Sequence, residues 1–168
     1  MIEVENKRRK KWSINKNKFL SVEEYARLRL KIKKRQNRPA ILLKLLMFTG
    51  ARASEALAVR LIDLDKAEKT VFIQGLKQSA DREIPLPPWY FSQLYRYALN
   101  HCEKPEDKIF PFCYTILHRI WNVYRPCNTK TIHSLRHTIA INVFEQTRDI
   151  KLVQVLLGHR SIHNTMVY

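Results

Sequence analysis

The sequence predicts a mainly α domain with a small antiparallel β-sheet. Apolar Val22, Tyr25, Leu28 and Ile32 recur at helical spacing, and capping and stop signals punctuate further helical segments along the chain. The best strands are short runs at 70–74 (TVFIQ) and 82–86 (REIPL). The intervening GLKQSAD is rich in turn formers and reads as a hairpin loop. A length of 168 residues, 45% of them hydrophobic, suffices for one domain with a real core and is too short for two full-sized ones.

The elements follow in order. Residues 1–18 show little periodicity and form a basic segment expected to lie over a partner, ahead of a folded domain at 19–168. Ser21 and Glu24 have capping-box spacing and open a first helix through about Lys34, with Val22, Tyr25, Leu28 and Ile32 on one side. Pro39 opens a second helix in which Ile41 to Phe48 is apolar but for Lys44, so this helix is predicted to be buried. Gly50 ends it, and Arg52 begins a short third helix containing Glu55, Ala56 and Leu57. Arg52 therefore sits on a rigid mounting.

After the hairpin, Pro85, Pro87 and Pro88 stop the second strand before a helix from about Trp89 to Asn100. A further helix spans Tyr114 to Tyr124 and is broken by Pro126 and Asn128. HSLRHTIAINVFEQ forms the next, Asp149 to Leu157 another, and Gly158 stops it. Ser161 is expected to cap a last short helix that carries Tyr168. No internal repeat interrupts this order.

Charge narrows the function. Against 15 Asp and Glu stand 31 Lys and Arg, a formal net charge of +16, and thirteen of the basic residues fall within the first 36 positions. A polyanion is the expected partner, and contacts to a phosphate backbone suit such density. A membrane surface is the rival for a basic amphipathic segment. No apolar run reaches the roughly 20 residues that span a bilayer. The opening MIEVENKRRKKW lacks a signal peptide's apolar stretch. Cys102, Cys113 and Cys127 show no close metal-type spacing and read as reduced, so a cytoplasmic protein is expected, with nucleic acid favoured as the polyanion. Three glycines argue against a glycine-cradled nucleotide site.

The residues carrying chemistry lie late in the chain. His133 and Arg136 are three apart on a helix, and His137 is four from His133, so all three share a face. Leu135, Ile139, Ile141 and Val143 mark that helix as substantially buried. A buried charge seeks a partner, and a phosphate supplies one.

Here the chain resembles the tyrosine recombinase, or phage integrase, family over nearly all of residues 18–168. TGARASEAL resembles the family segment bearing the first catalytic arginine, which falls on Arg52. HSLRH resembles the second, placing on His133 a histidine that would act in proton transfer at the attacking phenol, and on Arg136 an arginine. LLGHRSIHNTMVY resembles the third, placing a histidine on His159 and the nucleophile on Tyr168. The family's general acid is a hairpin lysine, which puts Lys77 in that role. Leu76 separates it from Gly75, whereas family members often place the lysine directly after the glycine. Glu55 matches an acidic position that supports Arg52.

The resemblance implies the family's catalytic-domain fold and a mechanism with no cofactor, metal or nucleotide. Tyr168 would attack a DNA phosphate to give a 3'-phosphotyrosyl link and a free 5'-hydroxyl, and a hydroxyl attacking back would restore the strand without ATP. Two guanidiniums suit the charge that develops on nonbridging oxygens, and they favour a phenolate whose free pKa near 10 makes it a poor nucleophile. The implied partners are double-stranded DNA, further copies of the chain (a tetramer in the family) and a possible accessory DNA-binding protein.

Other readings compete. Zinc hydrolysis through His133, His137, His159 or His163 lacks the glutamate that HExxH supplies. A relaxase or type IB topoisomerase also uses tyrosine on DNA. A DNA-binding remnant or regulator without activity is the rival of another class, suggested by the short basic stretch before Ser21 and by the position of Tyr168 at the end of the sequence. The expectation is a cleavage-competent chain, naturally minimal or truncated.

Overall fold

The computed structural model describes residues 16–76, 79–166 and 168, so the segment expected at 1–18 falls almost wholly outside the described residues, and Lys77 lies outside them too. Helix α1 (Val22–Lys33) begins at the predicted capping box: Glu24 N–H donates to Ser21 Oγ at 3.2 Å, and Ser21 N–H to the Glu24 carboxylate at 2.8 Å. Helix α2 (Arg38–Thr49) is capped by Asn37, with Pro39 in its first turn. Nine of its twelve residues are buried, so it is the central rod on which other elements pack. Lys44 is buried on it because its ammonium donates to the carbonyls of Lys33 and Arg35 and to Gln93 Oε1, closing the exposed end of α1.

Gly50 ends α2 in the left-handed region at φ 60°, and α3 (Ala53–Ala58) follows after two residues. The sheet has the order β1 (Leu64–Asp65), β2 (Thr70–Ile73), β3 (Arg82–Pro85), all antiparallel, with Val71 opposite Ile84 and Ile73 opposite Arg82. Val71, Ile73 and Ile84 point into the core, and so does Arg82. Helix α4 (Pro88–Leu99) docks through Tyr90, whose hydroxyl donates to Ile41 O at 2.8 Å.

Helix α5 (Tyr114–Tyr124) buries Trp121, whose indole N–H donates to Lys130 O. Helix α6 (His133–Thr147) packs against α2 and α7 (Ile150–Leu157). Leu135 and Ile139 are buried as predicted, whereas Ile141 and Val143 are half-buried. Asp149 caps α7 through two backbone N–H groups.

One element differs from expectation near Tyr168. The helix predicted to carry Tyr168 is a three-residue 3-10 turn, Ile162–Asn164, and Tyr168 lies beyond it. Ser161 makes no side-chain cap there. So short a turn cannot repay the cost of helix nucleation. Tyr168 is held instead by packing against a small apolar cluster of Ala140, Val153 and Leu157 between α6 and α7. Among the described residues, no helix is long and apolar enough to cross a membrane.

Candidate active site

Arg52 sits where the chain leaves α2 and enters α3, and a fully buried carboxylate aims it. Glu55, one turn into α3, accepts from Arg52 N–H at 2.9 Å, from Arg52 Nη1 at 2.9 Å and from Arg82 Nη2 at 2.7 Å. Arg136 Nη1 stands 3.9 Å from the same carboxylate. Burial opposes ionisation of Glu55, but the hydrogen bonds from Arg82 and Arg52 outweigh it and hold the carboxyl at about 2. One carboxylate thus orders three guanidiniums and leaves the cluster with excess positive charge.

Arg136 enters from the first turn of α6 and is 2% exposed. Its Nη1 donates to Gly50 O at 2.7 Å and its Nη2 to Leu157 O at 2.6 Å, so it joins the ends of α2 and α7. Burial and the nearby charge of Arg52 lower its pKa to about 9, which leaves it cationic at neutral pH. Arg52 also donates to the hydroxyl of Ser79, which in turn donates to Gly158 O at 3.1 Å.

That last contact belongs to an antiparallel bridge between Ser79 and His159, supported by Ala80 N–H donating to Gly158 O at 2.9 Å. Gly158 is indispensable to the approach. Its φ is 66°, and a Cβ there would meet Ala80 O and Arg82 Nη1, each at 2.8 Å. Gly158→Ala is therefore expected to lower stability by about 2 kcal/mol or more, from left-handed strain plus backbone displacement, as measured by denaturant unfolding.

His159, next along, is fixed on three sides. Its N–H donates to Gln154 O at 3.0 Å, its carbonyl accepts from Gln154 Nε2 at 2.9 Å, and its Nδ1 pairs with the buried Thr165 hydroxyl at 2.9 Å. With Nδ1 engaged, Nε2 is the nitrogen that can meet a ligand. Burial and the charges of Arg136 and Arg52 lower its pKa to about 4, so the ring is neutral at pH 7.

A cavity of about 650 Å³ gathers these groups, its lining including Arg52, His133, Arg136, His137, His159 and Tyr168. The phenol of Tyr168 is half-buried, and its hydroxyl pairs with Nδ1 of His137 at 2.8 Å. Burial raises the phenol to about 12, against a smaller opposing pull from Arg136 and Arg52. His133 stands more openly at the cavity, its ring edge-on to His137 with centroids 4.7 Å apart. Desolvation by its neighbours and the charges of Arg136 and Arg52 lower its pKa.

Five of the six sequence-predicted site residues, Arg52, His133, Arg136, His159 and Tyr168, therefore line one cavity, and the sixth, Lys77, lies outside the described residues. Proton transfer at the phenol was expected of His133, yet the ring in hydrogen-bond contact with the phenol is that of His137. Sequence reasoning also missed Arg82, Ser79 and Thr165. Arg82 carried a legible signal: it shares the inward register of β3 with Ile84, and a charge on that face needs a buried partner. Among the described residues, no group of three or more His, Cys, Asp or Glu side chains is arranged to hold a metal ion.

The cavity thus sets two guanidiniums beside a tyrosine hydroxyl. Tyrosine recombinase XerA of Pyrococcus furiosus is 28% identical over 167 residues, an alignment covering 90% of this chain and 56% of XerA. The XerH site-specific recombinase, solved bound to its difH substrate in a pre-cleavage complex, is 26% identical with a TM-score of 0.69, over 90% of this chain and 50% of that one. The catalytic domain of bacteriophage HP1 integrase, 23% identical, superposes with a TM-score of 0.66 over 89% of this chain and 85% of that domain, a likeness of fold. The chain spans about half the length of the curated relatives it matches. The model of the Phage integrase family matches residues 18–168, and the chain belongs to that family.

Proposed function

We propose that this chain carries the strand-cleaving and rejoining chemistry of a site-specific DNA recombinase or integrase. The observation that supports this best is the convergence of two arginines, a fixed histidine and a tyrosine hydroxyl on one cavity. Arg52 and Arg136 hold the nonbridging oxygens of a DNA phosphate, where charge concentrates in the transition state. His159 donates to that phosphate through Nε2. Tyr168 attacks phosphorus, forming a 3'-phosphotyrosyl ester and releasing a 5'-oxygen that requires a proton. Lys77 is the candidate acid for that step.

Because one phosphodiester is exchanged for another, the link retains the energy needed for rejoining, and a 5'-hydroxyl attacking back restores the strand. The net charge of +16 suits a duplex, and XerH binds its own difH substrate. One tyrosine per chain cuts one strand, so exchange between two duplexes takes four copies on DNA.

The test is a nicked suicide duplex, its sequence first selected for binding from a randomised pool. Incubation is expected to give a covalent adduct that survives denaturing electrophoresis. Tight binding of the selected duplex with no adduct would overturn the reading in favour of a DNA-binding protein without cleavage activity.

A further inference from the structure

We propose that His137, rather than His133, takes the phenolic proton of Tyr168 as the nucleophile attacks. This deepens the strand-cleavage reading and rests on it. The geometry is direct: Nδ1 of His137 lies 2.8 Å from Tyr168 Oη, within the reach a general base requires. His133 meets the His137 ring in a T-shaped contact, 4.7 Å between centroids, and the hydrogen bond to the phenol is made by His137. His137 lies next in sequence to the phosphate-gripping Arg136, so the rigid first turns of α6 carry both the clamp and the base.

The charges around the pair fit the role. His137 is faced by His133 and Arg136 from its own helix, by Lys18 from the 3-10 turn Lys16–Lys18, and by Tyr168 from the C-terminal segment. Burial, reinforced by His133, Lys18 and Arg136, keeps its ring neutral, with a pKa of about 4. A neutral imidazole bearing its proton on Nε2 has a lone pair on Nδ1 for the phenol O–H. The phenol's own raised pKa keeps it protonated before the reaction.

Resting acidities this far apart prevent proton transfer in the free protein. They reverse during attack, because an oxygen becoming an aryl phosphate ester loses its basicity as the bond to phosphorus forms. The step balances. The Oη–P bond forms, the phenolic proton moves to Nδ1 and gives an imidazolium, and the P–O5' bond breaks with its electron pair on the 5'-oxygen. That oxygen takes a proton from an acid, for which Lys77 is the candidate. In rejoining, the imidazolium returns its proton to the departing phenolate.

Single-turnover adduct formation on the suicide duplex tests this across a pH series, comparing the unsubstituted chain with His137→Gln and with DNA affinity measured in parallel at fixed salt. His137→Gln is expected to slow adduct formation by about 100-fold or more with DNA affinity retained, and to lose the rise of rate with pH. Substituting a more acidic fluorinated tyrosine at 168 is expected to recover at least about tenfold of that loss, because a phenol that parts with its proton more readily needs the base less. Adduct formation by His137→Gln at the unsubstituted rate, or no recovery with fluorotyrosine, overturns the proposal while the strand-cleavage reading stands. Absence of adduct from the unsubstituted chain on a bound duplex overturns both. A readout free of catalysis and of folding variants at 137 is the His137 imidazole titration followed by NMR. It is expected to move on Tyr168→Phe, and an unmoved titration counts against the contact.

Discussion

Tyr168→Phe is expected to abolish the covalent DNA adduct completely, while binding of the selected duplex persists. Phenylalanine has no atom that can form the phosphate ester, so the adduct is lost rather than slowed. The ring itself remains useful to the fold. It packs on Ala140, Val153 and Leu157, and that apolar contact does not involve the hydroxyl. What disappears is one hydrogen bond, to His137, at a cost of about 1 kcal/mol. The two arginines and His159 keep their own anchors, on Glu55, Gly50, Leu157 and Thr165, through hydrogen bonds that do not involve the phenol hydroxyl. Electrophoresis of the adduct beside a binding titration at the same salt separates chemistry from affinity. An adduct that survives the substitution would assign the nucleophile elsewhere.

Glu55→Gln is expected to be the most destabilising single change at the site. The carboxylate is solvent-inaccessible and compensates guanidiniums that are themselves nearly buried: Arg82 is 4% and Arg136 3% exposed at the side chain. Glutamine keeps the volume but replaces one acceptor oxygen by an amide that points donors at donors. Removing one partner of such a network costs about 3–5 kcal/mol, because the remaining charges stay buried without compensation.

The pH dependence has a defined sign. A carboxyl at about 2 in the folded protein and 4.5 in its unfolded reference contributes stability that is fully present above pH 4.5 and is lost as pH falls toward 2, a total of roughly 3 kcal/mol. His137 and His159, both held near 4 against a reference of 6.5, act earlier. The unfolded chain binds their protons first, so their contribution is present above pH 6.5 and declines from there toward pH 4. Thermal unfolding of the unsubstituted chain is therefore expected to weaken in two acid stages, and Glu55→Gln to lose the lower one. A variant that melts with the parent at neutral pH and keeps both stages would remove Glu55 from the centre of the network.

Much of this arrangement was legible from local rules. Helix α5 was predicted with its observed ends because the helical pattern stops before Pro126. The capping box at Ser21 and the left-handed stop at Gly50 are likewise matters of a few neighbouring residues. Strand β1 escaped notice because two residues display no alternation. The site divides similarly: Arg52, His133, Arg136, His159 and Tyr168 could be singled out by motif, but their partners could not. Thr165 reads as an ordinary threonine until the chain folds its hydroxyl onto His159. Similarly, 31 positions separate His137 from Tyr168, a distance that no helical spacing bridges. Arg136 illustrates a further limit: a motif identifies the arginine but gives no hint that its fork also fastens two helix ends.

The bridge from Ser79 to His159 joins segments that stand 80 positions apart in the chain. Such a stitch makes the hairpin end and the tail behind α7 a single cooperative unit in native-state fluctuations. Unzipping it releases Ser79 from Gly158 and takes from Arg52 its Ser79 partner, while Glu55 still holds Arg52 and Gln154 and Thr165 still hold His159. Local opening there therefore loosens the hairpin end and the tail as one, while the guanidiniums of Arg52 and Arg82 keep the carboxylate that orders them.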